Sequence, residues 1–171
     1  GPQHTDVVIV GEGPGETEVI LHRPFVGPSG KMLTQLLAGI GLARTDVYVT
    51  NTVLCRSLGE NVAPDKAAIR ACQERLFEEI RTRQPRVVVA MGRSELSAFG
   101  ITEGITAVRG RERWLSRLDL AAAISKQYPK REQGAHQINL EWARGGFYLL
   151  PTFHPAFSMR SPVRYPDLAL D

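Results

Sequence analysis

Apolar positions along the chain come in two rhythms, short unbroken runs and helical repeats, and the two alternate. Val7-Val8-Ile9-Val10 is an unbroken run that ends in a glycine-rich turn, the pattern of a parallel strand buried on both faces. From Gly30 to Ile40 the residues Met32, Leu33, Leu36, Leu37 and Ile40 recur at helical spacing, which predicts a helix with one buried face, closed by Gly41. Val47 to Leu54 is β-branched enough for a second strand, and the irregular polar stretch Arg56 to Ala63 after it reads as a loop. Pro64-Asp65 opens a long helix to about Arg83, with Ile69, Cys72, Leu76, Phe77 and Ile80 on its inner side. Pro85 leads into a strand from Val87 to Met91, and a short helix from Ser94 to Phe99 follows. Between Gly110 and Gly145 the pattern weakens into charged and amphipathic fragments, so the stretch from roughly 111 to 145 is expected to be a surface insertion. Phe147 to Phe153 restores a clear apolar strand that runs directly into His154-Pro155.

Strands alternating with helices predict an α/β fold, a single three-layer α/β/α domain over residues 1–171 with a mostly parallel central sheet of about four strands. In such sheets ligands bind beyond the carboxyl ends of the strands. Three loops lie there: Gly11 to Gly30, Asn51 to Asn61, and His154 to Pro162.

The 171 residues, 43% hydrophobic and 23% charged, suffice for one ordinary core and carry no bias towards disorder. The net charge of +3 permits a polyanionic partner without requiring one. No apolar run approaches the ~20 residues that span a bilayer, and Gly1 to Val10 lacks the blocks of a signal peptide, so a soluble, cytoplasmic chain is expected, with no membrane partner. Cys55 and Cys72 form no CxxC pair and read first as two buried thiols. Gly1-Pro2 resembles a protease-cleavage scar and the chain stops at the expected start of a helix, Leu168 to Asp171, so a piece of a longer protein is expected.

Chemistry concentrates in the first loop, Gly11-Glu12-Gly13-Pro14-Gly15-Glu16-Thr17-Glu18, joined by Arg23-Pro24-Phe25-Val26-Gly27. Its glycines let a backbone approach a ligand closely, but Pro14 sits inside the turn, and three glutamates put negative charge where a pyrophosphate needs positive dipoles. A dinucleotide site is thereby disfavoured. These two stretches instead resemble the first signature of the iron-sulfur, family 4 uracil-DNA glycosylases. The likeness continues in order: Val49-Thr50-Asn51-Thr52-Val53-Leu54-Cys55-Arg56 is similar to the family's second-strand motif, Val88-Val89-Ala90-Met91-Gly92 to its third strand, Val108-Arg109-Gly110 to the turn after it, and Phe153-His154-Pro155-Ala156 to its closing base-binding loop.

The resemblance implies a monofunctional hydrolase that flips deoxyuridine out of DNA and releases uracil, leaving an abasic site. Such an enzyme must read a base edge and pack its face on an aromatic ring. The resemblance assigns stacking to Phe25, close backbone approach to Gly13, and exclusion of thymine at the C5 face to Glu18. Asn51 offers one donor and one acceptor, matching the O4 and N3-H edge of uracil and mismatching cytosine. His154 corresponds to the histidine facing uracil O2, where negative charge develops. Glu12 stands where the family carboxylate orients water, and Asn61 aligns with a polar residue nearby. Met159 is the expected apolar wedge into the DNA minor groove, with Arg160 and Arg164 as contacts to the strand.

Two departures stand out. The family holds a [4Fe-4S] cluster with four cysteines, two of them matching Cys55 and Cys72, and the CxxC pair ahead of the first strand is absent. No cofactor is therefore expected in the chain as given, and a cluster only in a longer form. The stretch Cys55 to Asn61 also lacks the histidine with which a crosslinking branch of the superfamily traps the sugar. A monomer acting on uracil-containing DNA is the expectation; the rival is a catalytically weak or inactive domain that binds DNA or senses uracil, fused to or associated with a larger replication or repair protein.

Overall fold

The computed structural model describes residues 1–59, 62–116, 118–120, 122 and 145–160. Five strands form one sheet in the order β2-β1-β3-β5-β4. They are β1 (Val7–Gly11), β2 (Tyr48–Asn51), β3 (Val87–Met91), β4 (Arg113–Ser116) and β5 (Gly146–Thr152). All neighbours run parallel except β4, which is antiparallel to β5.

The unbroken apolar runs are explained by burial on both faces. Val8 and Val10 of β1 and Val88 and Ala90 of β3 point into one core, while Ile9 and Met91 point into the other. The larger core is covered by α3 (Lys66–Arg83) and α4 (Arg93–Ala98), through Ile69, Leu76, Phe77, Ile80 and Leu96. Phe77, Phe99 and Phe147 meet edge to face, with centroids 5.7 and 6.0 Å apart, and tie the long helix to β5. The opposite face is covered by α2 (Pro28–Gly39), which brings Leu33 and Leu37 onto Ile9 and Val49. The three-layer α/β/α architecture is therefore as the alternation predicts.

Local signals set the long helix. Asp65 caps α3, its side chain accepting from the Ala68 N–H at 2.7 Å, and Gln84 closes it in a left-handed conformation. Gln73 is buried on its inner side, where its amide donates to the Ala98 carbonyl at 2.6 Å, while Cys72 is only partly buried.

Four features depart from the pattern. The stretch read as a loop after β1 contains α1 (Glu16–Leu21), which buries no side chain and so leaves no apolar repeat to read. A further short helix, α5 (Ile105–Val108), precedes β4 and likewise buries none. The sheet has five strands rather than about four, because residues 113–116, read as the start of a surface insertion, pair with β5. Only Leu115 of that strand is buried, which is too little for a two-residue period to show; Leu120 beyond it also joins the main core. Finally, Cys55 is exposed, contrary to the reading of two buried thiols. The remainder of the expected insertion, with Asn61 and Arg164, lies outside the described residues.

Gly30, in the first turn of α2, lies against the backbone of Phe25, whose own φ is +53°. A Cβ at Gly30 would overlap the Phe25 carbonyl, which is backbone and has little freedom to yield. Gly30→Ala is expected to lower stability by about 1–3 kcal/mol, read from urea midpoints; an unchanged midpoint would mean that the Arg23 to Gly27 segment moves without cost.

Candidate active site

Register brings the first two site loops together. β1 and β2 pair so that Gly11 lies opposite Asn51, and the strands stay joined past their ends by Thr52 N–H and Val53 N–H donating to the carbonyls of Gly11 and Glu12 at 2.7 and 3.1 Å. β3 ends at Met91 on the other side of β1, and β5 delivers His154 two residues after its end. A cavity of about 520 Å³ opens at these carboxyl ends, lined by Glu12, Phe25, Asn51, Met91, His154 and Arg160 among others. Its size suits a small organic ligand.

Gly11 has no side chain because two others occupy its space. A Cβ there would stand 2.5 Å from the Phe25 ring and 2.8 Å from Asn51 Oδ1. Phe25 is buried and lies 5.7 Å from the His154 ring, the planes tilted by 37°. Glu18 shapes that segment: its Oε1 accepts the N–H groups of Val26 and Gly27 at 3.0 and 2.8 Å, holding the turn that leads from Phe25 into α2. Glu18 also lines the cavity, as does Gly13, whose Cα faces Val53.

Asn51 is 3% exposed, and its Oδ1 has no hydrogen-bond partner among the described residues. A buried acceptor left unpaired costs about 1–3 kcal/mol, so this oxygen is suited to a donor brought by a ligand.

His154 has a defined tautomer. Its Nδ1 accepts the Ala156 N–H at 3.1 Å, so the ring proton resides on Nε2. Burial, aided by the positive charge of Arg160 and opposed by Glu18, lowers its pKa from the usual 6.5 to about 4. The ring is therefore a neutral donor at physiological pH.

Glu12 accepts a hydrogen bond from Ser94 Oγ at 2.8 Å, a contact spanning 82 positions of sequence that the motif reading did not find. Next to Ser94, Glu95 is fully buried, and among the described residues neither carboxyl oxygen has a hydrogen-bond partner from another side chain. Burial drives its pKa well above the usual 4.5, against the pull of its own backbone and with the negative charge of Glu12 pushing the same way. Nothing in the sequence singled out Glu95, since a glutamate in a short helix is ordinarily solvated.

The candidate DNA contacts lie at the rim. Met159 and Arg160 are exposed on α6 (Pro155–Arg160), which packs beside α2, and Phe157 stacks on Phe153 at 4.9 Å. Arg56 lines the cavity and lies 4.0 Å from Glu16, an exposed pair of little energetic weight.

Among the described residues no three His, Cys, Asp or Glu side chains come together as a metal site. Cys55 and Cys72 are the chain's two cysteines and are half of what a [4Fe-4S] cluster takes, so the residues present do not fit that group by themselves. No described helix is long and apolar enough to cross a membrane.

The model of the uracil DNA glycosylase superfamily matches residues 1–169. The chain is 36% identical to a type-4 uracil-DNA glycosylase of Thermotoga maritima over 163 residues, covering 94% of this chain and 70% of that protein. Similar proteins of the same description occur in Pyrobaculum aerophilum, 33% identical over 95% of this chain and 72% of the relative, and in Archaeoglobus fulgidus, 41% identical over 54% of this chain and 46% of the relative.

The buried carboxyl gives a pH test. A group whose folded pKa is raised contributes stability fully below its unfolded pKa and loses it as pH rises through the folded value. Glu95→Gln cannot ionise, so its urea midpoint should gain on the parent as pH rises above the usual carboxylate range of about 4.5. A gap between the two proteins that stays constant with pH would mean that Glu95 is not held neutral.

Proposed function

The chain belongs to the uracil-DNA glycosylase superfamily, and from that membership and the geometry of the pocket we propose that it hydrolyses the bond between uracil and deoxyribose in DNA. The observation that carries the reading is the unpaired, buried Oδ1 of Asn51 beside Phe25 and a neutral His154. Deoxyuridine leaves the stack and enters the cavity, and its ring packs on Phe25. Asn51 Oδ1 accepts from N3-H and the amide nitrogen donates to O4, an arrangement that cytosine cannot satisfy.

Bond cleavage leaves negative charge on the uracil ring and positive character on the sugar. His154 Nε2–H donates to O2 as that charge grows, and a proton already fixed on Nε2 needs no rearrangement at the moment of reaction. Glu12, steadied by Ser94 Oγ, orients the attacking water and favours the cationic sugar. Gly13 lets the backbone close on the base, and Glu18 holds the Phe25 segment and borders the base at C5. Asn61 is assigned a polar role towards the water in this reading. Met159 fills the gap left in the duplex, with Arg160 and Arg164 on the strand.

The protein acts as a cytoplasmic monomer on uracil-containing DNA. A [4Fe-4S] cluster would take Cys55 and Cys72 as two of its ligands and would need two thiolates from outside these 171 residues; no step above passes through it. A non-catalytic, uracil-sensing domain is not favoured, since the matches over nearly the whole chain are to proteins named for the activity.

An oligonucleotide carrying one deoxyuridine, treated with alkali after incubation, reports the abasic site. The parent should cleave it, and Asn51→Ala and His154→Ala should each lose about 10²–10³-fold in rate. A parent that binds the DNA but leaves no abasic site would sink the enzymatic reading. The pH profile gives a second check. If His154 sets the acid limb, kcat/KM falls as pH drops towards about 4 and shows no inflection from this group at 6.5. An inflection at 6.5 that disappears in His154→Gln would contradict the neutral-donor role.

A further inference from the structure

β2 is an edge strand, and Asn51 is its last residue. The acceptor of the Asn51 amide has no hydrogen-bond partner among the described residues, so the place at which it presents that oxygen depends on the backbone beneath it. On the inner side that backbone is held by the Thr52 and Val53 N–H bonds to β1 and its loop. On the outer side, where no strand lies, it is held by one side chain of α3. Arg75 Nη2 donates to the carbonyls of Asn51 and Thr52, each at 2.8 Å, and its Nη1 donates to Thr50 Oγ1 at 3.1 Å. Glu79, one turn further along α3, faces the same Nη1 at 3.2 Å and fixes the guanidinium from behind. Three consecutive residues of the strand end are therefore gripped by one planar group. A lysine has no such fork and could serve only part of the set.

We propose that Arg75 is a positioning residue for base recognition: it clamps the backbone from Thr50 to Thr52 so that the Asn51 amide stands where the uracil edge is read. The proposal rests on the reading that Asn51 contacts the base. Arg75 acts through Asn51, so its removal should matter only while Asn51 is present. A positioning error of this kind is expected to cost about tenfold in kcat/KM.

The test is a double-mutant cycle on the full chain: parent, Arg75→Met, Asn51→Ala and the double variant. Each is assayed for kcat/KM on the deoxyuridine oligonucleotide and for its affinity ratio between strands carrying deoxyuridine and deoxycytidine, with thermal unfolding alongside. Coupling is expected: Arg75→Met lowers kcat/KM and the affinity ratio in the parent and does little further in Asn51→Ala. Arg75→Lys should recover only part of the loss. Equal losses in both backgrounds, or a parent-like Arg75→Met, would overturn the proposal while leaving the role of Asn51 intact. An Asn51→Ala protein that cleaves and discriminates like the parent would instead remove the reading beneath it. Should Arg75→Met fail to fold, Thr50→Val deletes one of the three acceptors, and the same comparison in the two Asn51 backgrounds decides the matter.

Discussion

Gly11 ends β1 without a side chain, and the Phe25 ring and Asn51 Oδ1 converge on the space where a Cβ would stand. That convergence requires the parallel register that sets Gly11 opposite Asn51, and a left-handed Phe25 followed by Gly30, which together turn the ring back over the strand. Phe25 in turn meets His154, which arrives from the far end of the chain. The groups proposed to recognise the base and to stabilise its charge are thus neighbours because one backbone position is left bare. A side chain at Gly11 would separate the aromatic face from the amide before it disturbed the core.

The electrostatics of the pocket follow from burial rather than from an excess of one charge. Burial raises the pKa of Glu95, with the charge of Glu12 acting in the same direction. Desolvation also lowers the pKa of His154 to about 4, with Arg160 adding to it. A carboxylate that can face a cationic sugar and a neutral donor that can face an anionic base are then both in place without a proton having to move first. This is the sense in which the site is preorganised.

Much of this was legible in the sequence, for reasons that can be named. β1 and β3 show as unbroken apolar runs because both of their faces are covered, and α3 shows through its cap and its inner stripe. Asn51, Phe25 and His154 could be proposed because each sits within a motif of recognisable order at a strand's carboxyl end. α1 and β4 were not legible, since the one buries nothing and the other buries a single leucine. Ser94, Glu95 and Arg75 were hidden for another reason. Their importance comes from contacts with Glu12 and with the end of β2, and spacing along the chain carries no record of such pairings.

The Asn51 oxygen is a buried acceptor with no hydrogen-bond partner among the described residues, and it lines the cavity. In the proposed binding mode uracil donates to it from N3, whereas cytosine brings an acceptor at N3 and a donor in place of O4, so both halves of the amide would face the wrong partner. In that mode discrimination requires an amide that does not turn over to suit cytosine. A freely rotating amide would exchange its donor and acceptor and read either base. A strand end held from β1 on one side and from α3 on the other fixes where the amide stands, and the Phe25 ring shares with it the space above Gly11.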